Sequence, residues 1–152
     1  MNSGMNDIGA KLIWAAGGAL TATAGGSGDA ALATGSTIDR LGYASGKFAM
    51  FVNTTLASDK QLDAQVVYQL SANDSDWDTA VALLSQTVVE AVTTAITAGK
   101  YIVEKDINLD PLKRYIRFNV TPDLSATGTD TAAIQWGVVL GGYYSNPITA
   151  TV

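Results

Sequence analysis

The chain is 152 residues long, 47% apolar and 15% charged, with a formal net charge of −5 and neither Cys nor His. That is enough sequence for about one domain with a real core, and too apolar for a disordered chain. The acidic balance leaves no basic stripe for nucleic acid, and the missing Cys and His exclude disulfides, thiol nucleophiles, zinc centres and a side chain that titrates near neutrality.

Residues 1–36 differ in texture from the rest. Small residues dominate, among them Ala15, Ala16, Gly17, Gly18, Gly25, Gly26 and Gly28. Residues 11–24 have the outline of a secretory signal, but Asp7 offsets Lys11 and two glycines break the apolar run. The run is also far short of the ~20 apolar residues of a membrane span, so no membrane partner is expected. Side chains this small cannot build a core, so the segment reads as an extended arm that orders against another surface. Ile8, Leu12, Ile13, Trp14 and Leu20 are its candidate anchors. The predicted organisation is an arm over 1–36 followed by a β-sandwich domain over 37–152. Deleting the arm is then expected to leave a folded domain.

Within the domain, Asp39 and Arg40 read as a surface pair or as residues that hold a turn. Residues 46–55 alternate, with Phe48, Met50 and Val52 on one side and Lys47, Ala49, Phe51 and Asn53 on the other. Residues 64–71 put Val66, Tyr68 and Leu70 inward, with Val67 as the exception. Asp74, Asp76 and Asp78 resemble the first half of a calcium loop, but Thr79 and Ser85 stand where that loop needs Gly and Glu. An Asx-rich turn accounts for them without a metal. Residues 80–98 fit a helical face through Val81, Leu84, Val88 and Val92, while their β-branched content favours a strand from about Gln86. Residues 101–108 alternate around Tyr101, Val103 and Ile107.

The strongest pattern lies near the end. Residues 115–121 set Ile116, Phe118 and Val120 on one face, and residues 131–140 include Ile134, Trp136 and Val138. Pro122, Asp123, Ser125, Gly128 and Asp130 lie between them, so the pair reads as a β-hairpin. Six or more short strands with turn signals near every ten residues predict an all-β, antiparallel sandwich or jelly roll.

Candidates for catalysis are few. Glu104 and Asp106 share one strand face and read as a solvated edge; Glu90 stands apart from them. No cofactor motif is present, since Gly25, Gly26 and Gly28 precede no Lys-Ser or Lys-Thr. A non-enzymatic role is expected.

One set of features, taken in order, resembles a known family. IDRLGY (38–43), a strand, the Asp-rich turn with Trp77, DINLDPLKRYIRFNVT (106–121), a Gly/Thr/Asp loop and WGVVLGG (136–142) are similar to the cement or decoration proteins of tailed-bacteriophage heads. The resemblance covers residues 38–146. It implies a jelly-roll-like β domain on the outer surface of the capsid, made in the host cytoplasm, binding the major capsid protein and assembling as a homotrimer. Phe51, Val67 and Val139, apolar residues left on second strand faces, are the candidate oligomer contacts. The competing expectation is a carbohydrate-binding or adhesin-like module that uses Trp77, Tyr143 and Tyr144 as stacking platforms.

Overall fold

The computed structural model describes residues 12–125 and 128–143, which contain no helix. Eight strands follow one another: β1 (Ile13–Thr23), β2 (Ile38–Asp39), β3 (Tyr43–Leu56), β4 (Lys60–Ser71), β5 (Val81–Val92), β6 (Ile96–Asn108), β7 (Tyr115–Leu124) and β8 (Thr131–Tyr143). Pairing is nested and antiparallel throughout: β4 with β5, β3 with β6, β2 with β7 and β1 with β8. Further ladders between β3 and β8 and between β4 and β7 join these pairs into two sheets. The front sheet has the order β1-β8-β3-β6 and the back sheet β2-β7-β4-β5. The result is the two-sheet jelly roll expected from the sequence.

Alternation decides which side chains meet between the sheets. Phe48, Met50 and Val52 of β3 and Ile134, Trp136 and Val138 of β8 line the inner side of the front sheet, all at most 2% exposed. Leu62, Ala64 and Val66 of β4 and Ile116, Phe118 and Val120 of β7 line the back sheet, all fully buried. Phe48 meets Phe118 across the interior with ring centroids 5.2 Å apart. The Trp136 indole Nε1 donates to the Phe118 carbonyl over 2.9 Å, so its one polar atom is satisfied while the ring fills the core.

Five expectations need correcting. Residues 115–121 and 131–140 are not a hairpin: β7 lies in the back sheet and β8 in the front, and the link between them crosses the sandwich. The arm is part of the domain over β1, which pairs with β8 as an edge strand, so the boundary between 36 and 37 divides one folded unit. Residues 24–36 are then fastened along β7, with Ala30 donating to the Pro122 carbonyl, Ala33 bridging Val120 and Gly35 donating to the Asn119 side chain. β5 starts at Val81 rather than Gln86. Asp39 pairs with Arg114, not with Arg40, whose guanidinium donates to the carbonyls of Lys113 and Tyr43; what Asp39 and Arg40 share is the turn, where Asp39 accepts from the Leu41 amide and the Arg40 carbonyl from the Tyr43 amide. Of the expected core, Tyr68, Leu70 and Val103 are only half-buried.

The small residues of β1 exist because Trp136 is large. A Cβ on Gly18 would lie 2.6 Å from the indole Cζ2; beyond β1, one on Gly35 would collide with the Phe118 carbonyl oxygen. Neither backbone can be moved without breaking the bonds that hold it, so Gly35→Ala should destabilise by about 1–3 kcal/mol. A urea midpoint equal to that of the parent chain would show that the 30–36 segment relaxes freely.

The Asp39–Arg114 pair gives a pH dependence. Arg114 Nε lies 3.1 Å from both carboxylate oxygens and Nη2 lies 2.7 Å from Oδ2. The guanidinium holds the Asp39 carboxyl below its ordinary value, with partial burial opposing and the Leu41 N–H helping. A carboxylate whose folded pKa is depressed contributes stability above its unfolded pKa, near 3.9, and that contribution is lost as pH falls through the folded value. The pair is half exposed and screened by water, so its contribution is small. Asp39→Asn should therefore lower stability slightly at pH 6 and shrink the drop between pH 6 and pH 3. Equal drops in both proteins, measured by urea titration, would remove the pair from the acid response.

Candidate functional site

The two outer faces of the sandwich differ in chemistry, and the difference follows from register. Residues directly opposite in neighbouring strands share a face. On the back sheet this places Gln65 beside Thr121, Gln69 beside Arg117 and Asp63 beside Asp123. They bond to one another and to their neighbours: Gln69 Oε1 accepts from Arg117 Nε and Asn119 Nδ2, each at 3.0 Å, and Gln86 donates to Asp123 over 2.9 Å. The face is polar over most of β7 and β4, with two apolar residues on it: Val67 opposite Asn119, and Val88 of β5 opposite Asp63 and 51% exposed.

The front sheet has the opposite character. Successive rows across β1, β8, β3 and β6 read Trp14–Val139–Lys47–Asp106, then Ala16–Gly137–Ala49–Glu104, then Ala19–Gln135–Phe51–Ile102. Trp14, Phe51 and Ile102 are 47%, 42% and 60% exposed. Trp14 lies across Gly137, where a Cβ would come within 2.5 Å of its Cζ2, and so reaches Phe51 edge-on with centroids 6.1 Å apart. Gly137 is thus the residue that lets the indole lie flat on the sheet. Two shallow grooves flank this ridge. One, of about 400 Å³, runs past Ala19, Thr21, Phe51 and Gln135. The other, of about 490 Å³, is lined by Leu12, Val139, Gly141 and Ser45 among others.

Charge on the front face is confined to one side. Lys47 Nζ lies 2.7 Å from Asp106 and 3.7 Å from Glu104. The Asp106 carboxylate is the main reason that the Lys47 ammonium is held above its ordinary pKa. Lys100 lies opposite Asn53, toward the other end of β6. The β1 side of the face bears no charge over residues 12–23.

Two sets of contact residues, predicted separately, thus converge. Trp14 from the attachment set lies opposite Val139 and against Phe51 from the oligomer set. Leu12 and Ile13 are exposed at the start of β1, whereas Leu20 is half-buried against the core. Val67 is on the back sheet, opposite Asn119, and belongs to neither groove. Ile8 and Tyr144 lie outside the described residues. Sequence reasoning missed Ile102, Ala49 and Gly137; Ile102 stands out of phase between Tyr101 and Val103, which is the signal that could have found it.

Other candidates do not form sites. The Asp-rich turn is organised by Asn73, whose Oδ1 accepts from the backbone of Ser75 and Asp76, and among the described residues no group of three or more acidic side chains could hold a metal. Trp77 is covered on one ring face by the Arg117 guanidinium at 4.2 Å, which removes that face as a sugar-stacking platform.

No protein-family model matches the chain, and no curated protein does. Solved structures match it in fold. The chain of the infectious bursal disease virus Gx strain structure superimposes with a TM-score of 0.52 at 12% identity, over 89% of this chain and 33% of that one. A mutant VP2 protein of the same virus, in derived T=1 particles, gives 0.50 at 9% identity, over 86% and 31%. This protein thus spans about a third of the length of the chains it matches, and what it shares with these components of virus particles is a jelly-roll fold.

Proposed function

We propose that this chain is a structural protein of a virion, one that sits on the outer surface of a tailed-phage capsid, binds the major capsid protein and associates with its own copies as a trimer. The observation that carries the reading is the outer face of the front sheet. A jelly roll with one largely polar face and one face built on Trp14, Phe51, Ile102 and Val139 presents on the latter a surface that other protein covers. The fold shared with chains of virus particles supports the reading, as does the order of features from IDRLGY to WGVVLGG. The role is one of contact, not of chemistry.

Mass spectrometry of purified particles is the test. The chain should be present in copy number comparable with the major capsid protein, and recombinant protein should rebind to particles stripped of it. Absence from the particles would overturn the proposal.

A further inference from the structure

Among the described residues the two sheets have edges at β1, β6, β2 and β5, and these are not alike. The segment between β1 and β2 closes one flank of the sandwich, where Ser36 donates to the Gly17 carbonyl and Ala33 bridges Val120. On the other flank, three shifts of register break β5, so its free side presents no even row of backbone groups. β6 differs. It ends the front sheet, and its register against β3 runs without a shift from Gly99 to Asn108. A straight edge with unpaired N–H and C=O groups along it is a template for a further strand.

The side chains of β6 decide which strand fits. Ile102, Glu104 and Asp106 share the outer face with Lys100, while Tyr101 and Val103 pack against the core and are only half-buried. Charge on that face is unevenly paired. The Lys47 ammonium lies 2.7 Å from Asp106 but 3.7 Å from Glu104, and Lys100 has no ion pair among the described residues.

A second copy of β6 supplies what is missing. Two antiparallel strands related by a two-fold axis keep outer side chains beside outer ones only in alternate registers. With Ile102 opposite itself, Lys100 of each copy faces Glu104 of the other, and Tyr101 faces Val103. A slip of two residues one way sets Glu104 against Ala98. The same slip the other way sets Glu104 against Ile102 and directs Lys100 to Asp106, which already has Lys47. Larger slips oppose Lys100 to Lys100 or Glu104 to Glu104, which is unfavourable. The charges that guard this edge against other strands thus select one register with its own copy.

We propose that two copies of this chain join through β6, antiparallel and centred on Ile102, so that their front sheets run on as one. The contact is two-fold and follows an edge, so it is separate from any three-fold ring. A contact one strand wide falls short of the ~800 Å² per partner of a stable interface, and trapping is the way to read it. The chain has no cysteine, so Ile102→Cys introduces a single thiol, opposite its own copy at the ~4.5–5.5 Å Cα spacing that a disulfide spans. Air oxidation of the isolated protein at tens of micromolar should give a non-reducing gel band at twice the 15.8 kDa chain mass. Lys100→Cys, exposed on the same edge, should not link to itself but should link when mixed with Glu104→Cys. In the Ile102→Cys background, Lys100→Glu or Glu104→Lys should slow linking about tenfold, because each creates two like-charge pairs, and both together should restore it. No link through Ile102→Cys would overturn the proposal, as would equal linking by Lys100→Cys alone, a rate that the single reversals leave unchanged, or one that the double reversal does not restore. Should Ile102→Cys fail to fold by far-UV circular dichroism, the mixture of Lys100→Cys and Glu104→Cys decides. A missing link leaves the place in the virion standing, and absence of the chain from particles leaves the link standing.

Discussion

Phe118→Ala is expected to lower the stability of this protein by about 3–5 kcal/mol. The side chain is fully buried at the centre of β7, 5.2 Å from Phe48 across the interior and 6.4 Å from Tyr68 beside it, with centroids as the reference. Deleting the ring removes the apolar transfer energy and leaves a cavity that two sheets stitched by long ladders cannot close. The same residue's carbonyl accepts the indole N–H of Trp136, so any shift of β7 that fills the cavity would also strain that bond. Against the roughly 5–15 kcal/mol of a typical domain the loss is large enough to show as a marked fall in the urea midpoint. Phe118→Leu, nearer in volume, should cost less than half as much. A Phe118→Ala loss below about 1 kcal/mol would mean that the two sheets do not meet through this residue.

Phe118 was legible because β7 and β3 obey a strict period of two, and a buried strand has no simpler signature. β5 was not, and the cause is in its ladder. Its register against β4 shifts between Leu62 and Asp63, between Ala64 and Val66, and between Val66 and Val67. Each shift inserts an extra residue in β5, so neighbours such as Leu83 and Leu84 are both half-buried and the period of two is lost. The remaining spacing imitates a helical face. Bulges of this kind also guard an exposed edge, which β5 needs because it has one acidic and no basic residue, whereas β6 carries Lys100, Glu104, Lys105 and Asp106.

The false hairpin has a different origin. A short polar link between two apolar strands fits a turn within one sheet and a crossing between two sheets equally well, and only long-range pairing separates the two. The partners of β8 are β1 and β3, more than 70 residues away in sequence. The candidate face was half legible for the same reason. Trp14, Phe51 and Val139 could each be picked out as apolar and out of phase, but the row that unites Trp14 with Val139 spans almost the whole chain.

Deleting residues 1–36 is expected to abolish cooperative folding, the reverse of what an independent arm would do. The reason why β1 escapes a search for hydrophobic alternation is also the reason why the domain needs it. Its inward side is made of Ala22, Leu20 and Gly18, small groups that leave room for the Trp136 indole on the neighbouring strand. Without β1, Trp136 loses one wall of its cavity and Ala22 and Ala24 vanish from the core. β8, one of the most buried strands, becomes an unprotected edge with Gly137 and Val138 exposed along it. Asp130 adds to the loss, because its carbonyl accepts from Ala24 while its carboxylate holds the Ala57 amide at the β3–β4 corner, each at 2.9 Å. The truncated chain should show no sigmoidal urea transition, bind hydrophobic dye and sediment as aggregate, while a deletion ending before Leu12 keeps β1 and serves as the control. A sharp unfolding transition with native near-UV dichroism in the longer deletion would show that the sandwich closes on seven strands and that β1 is an attachment arm after all.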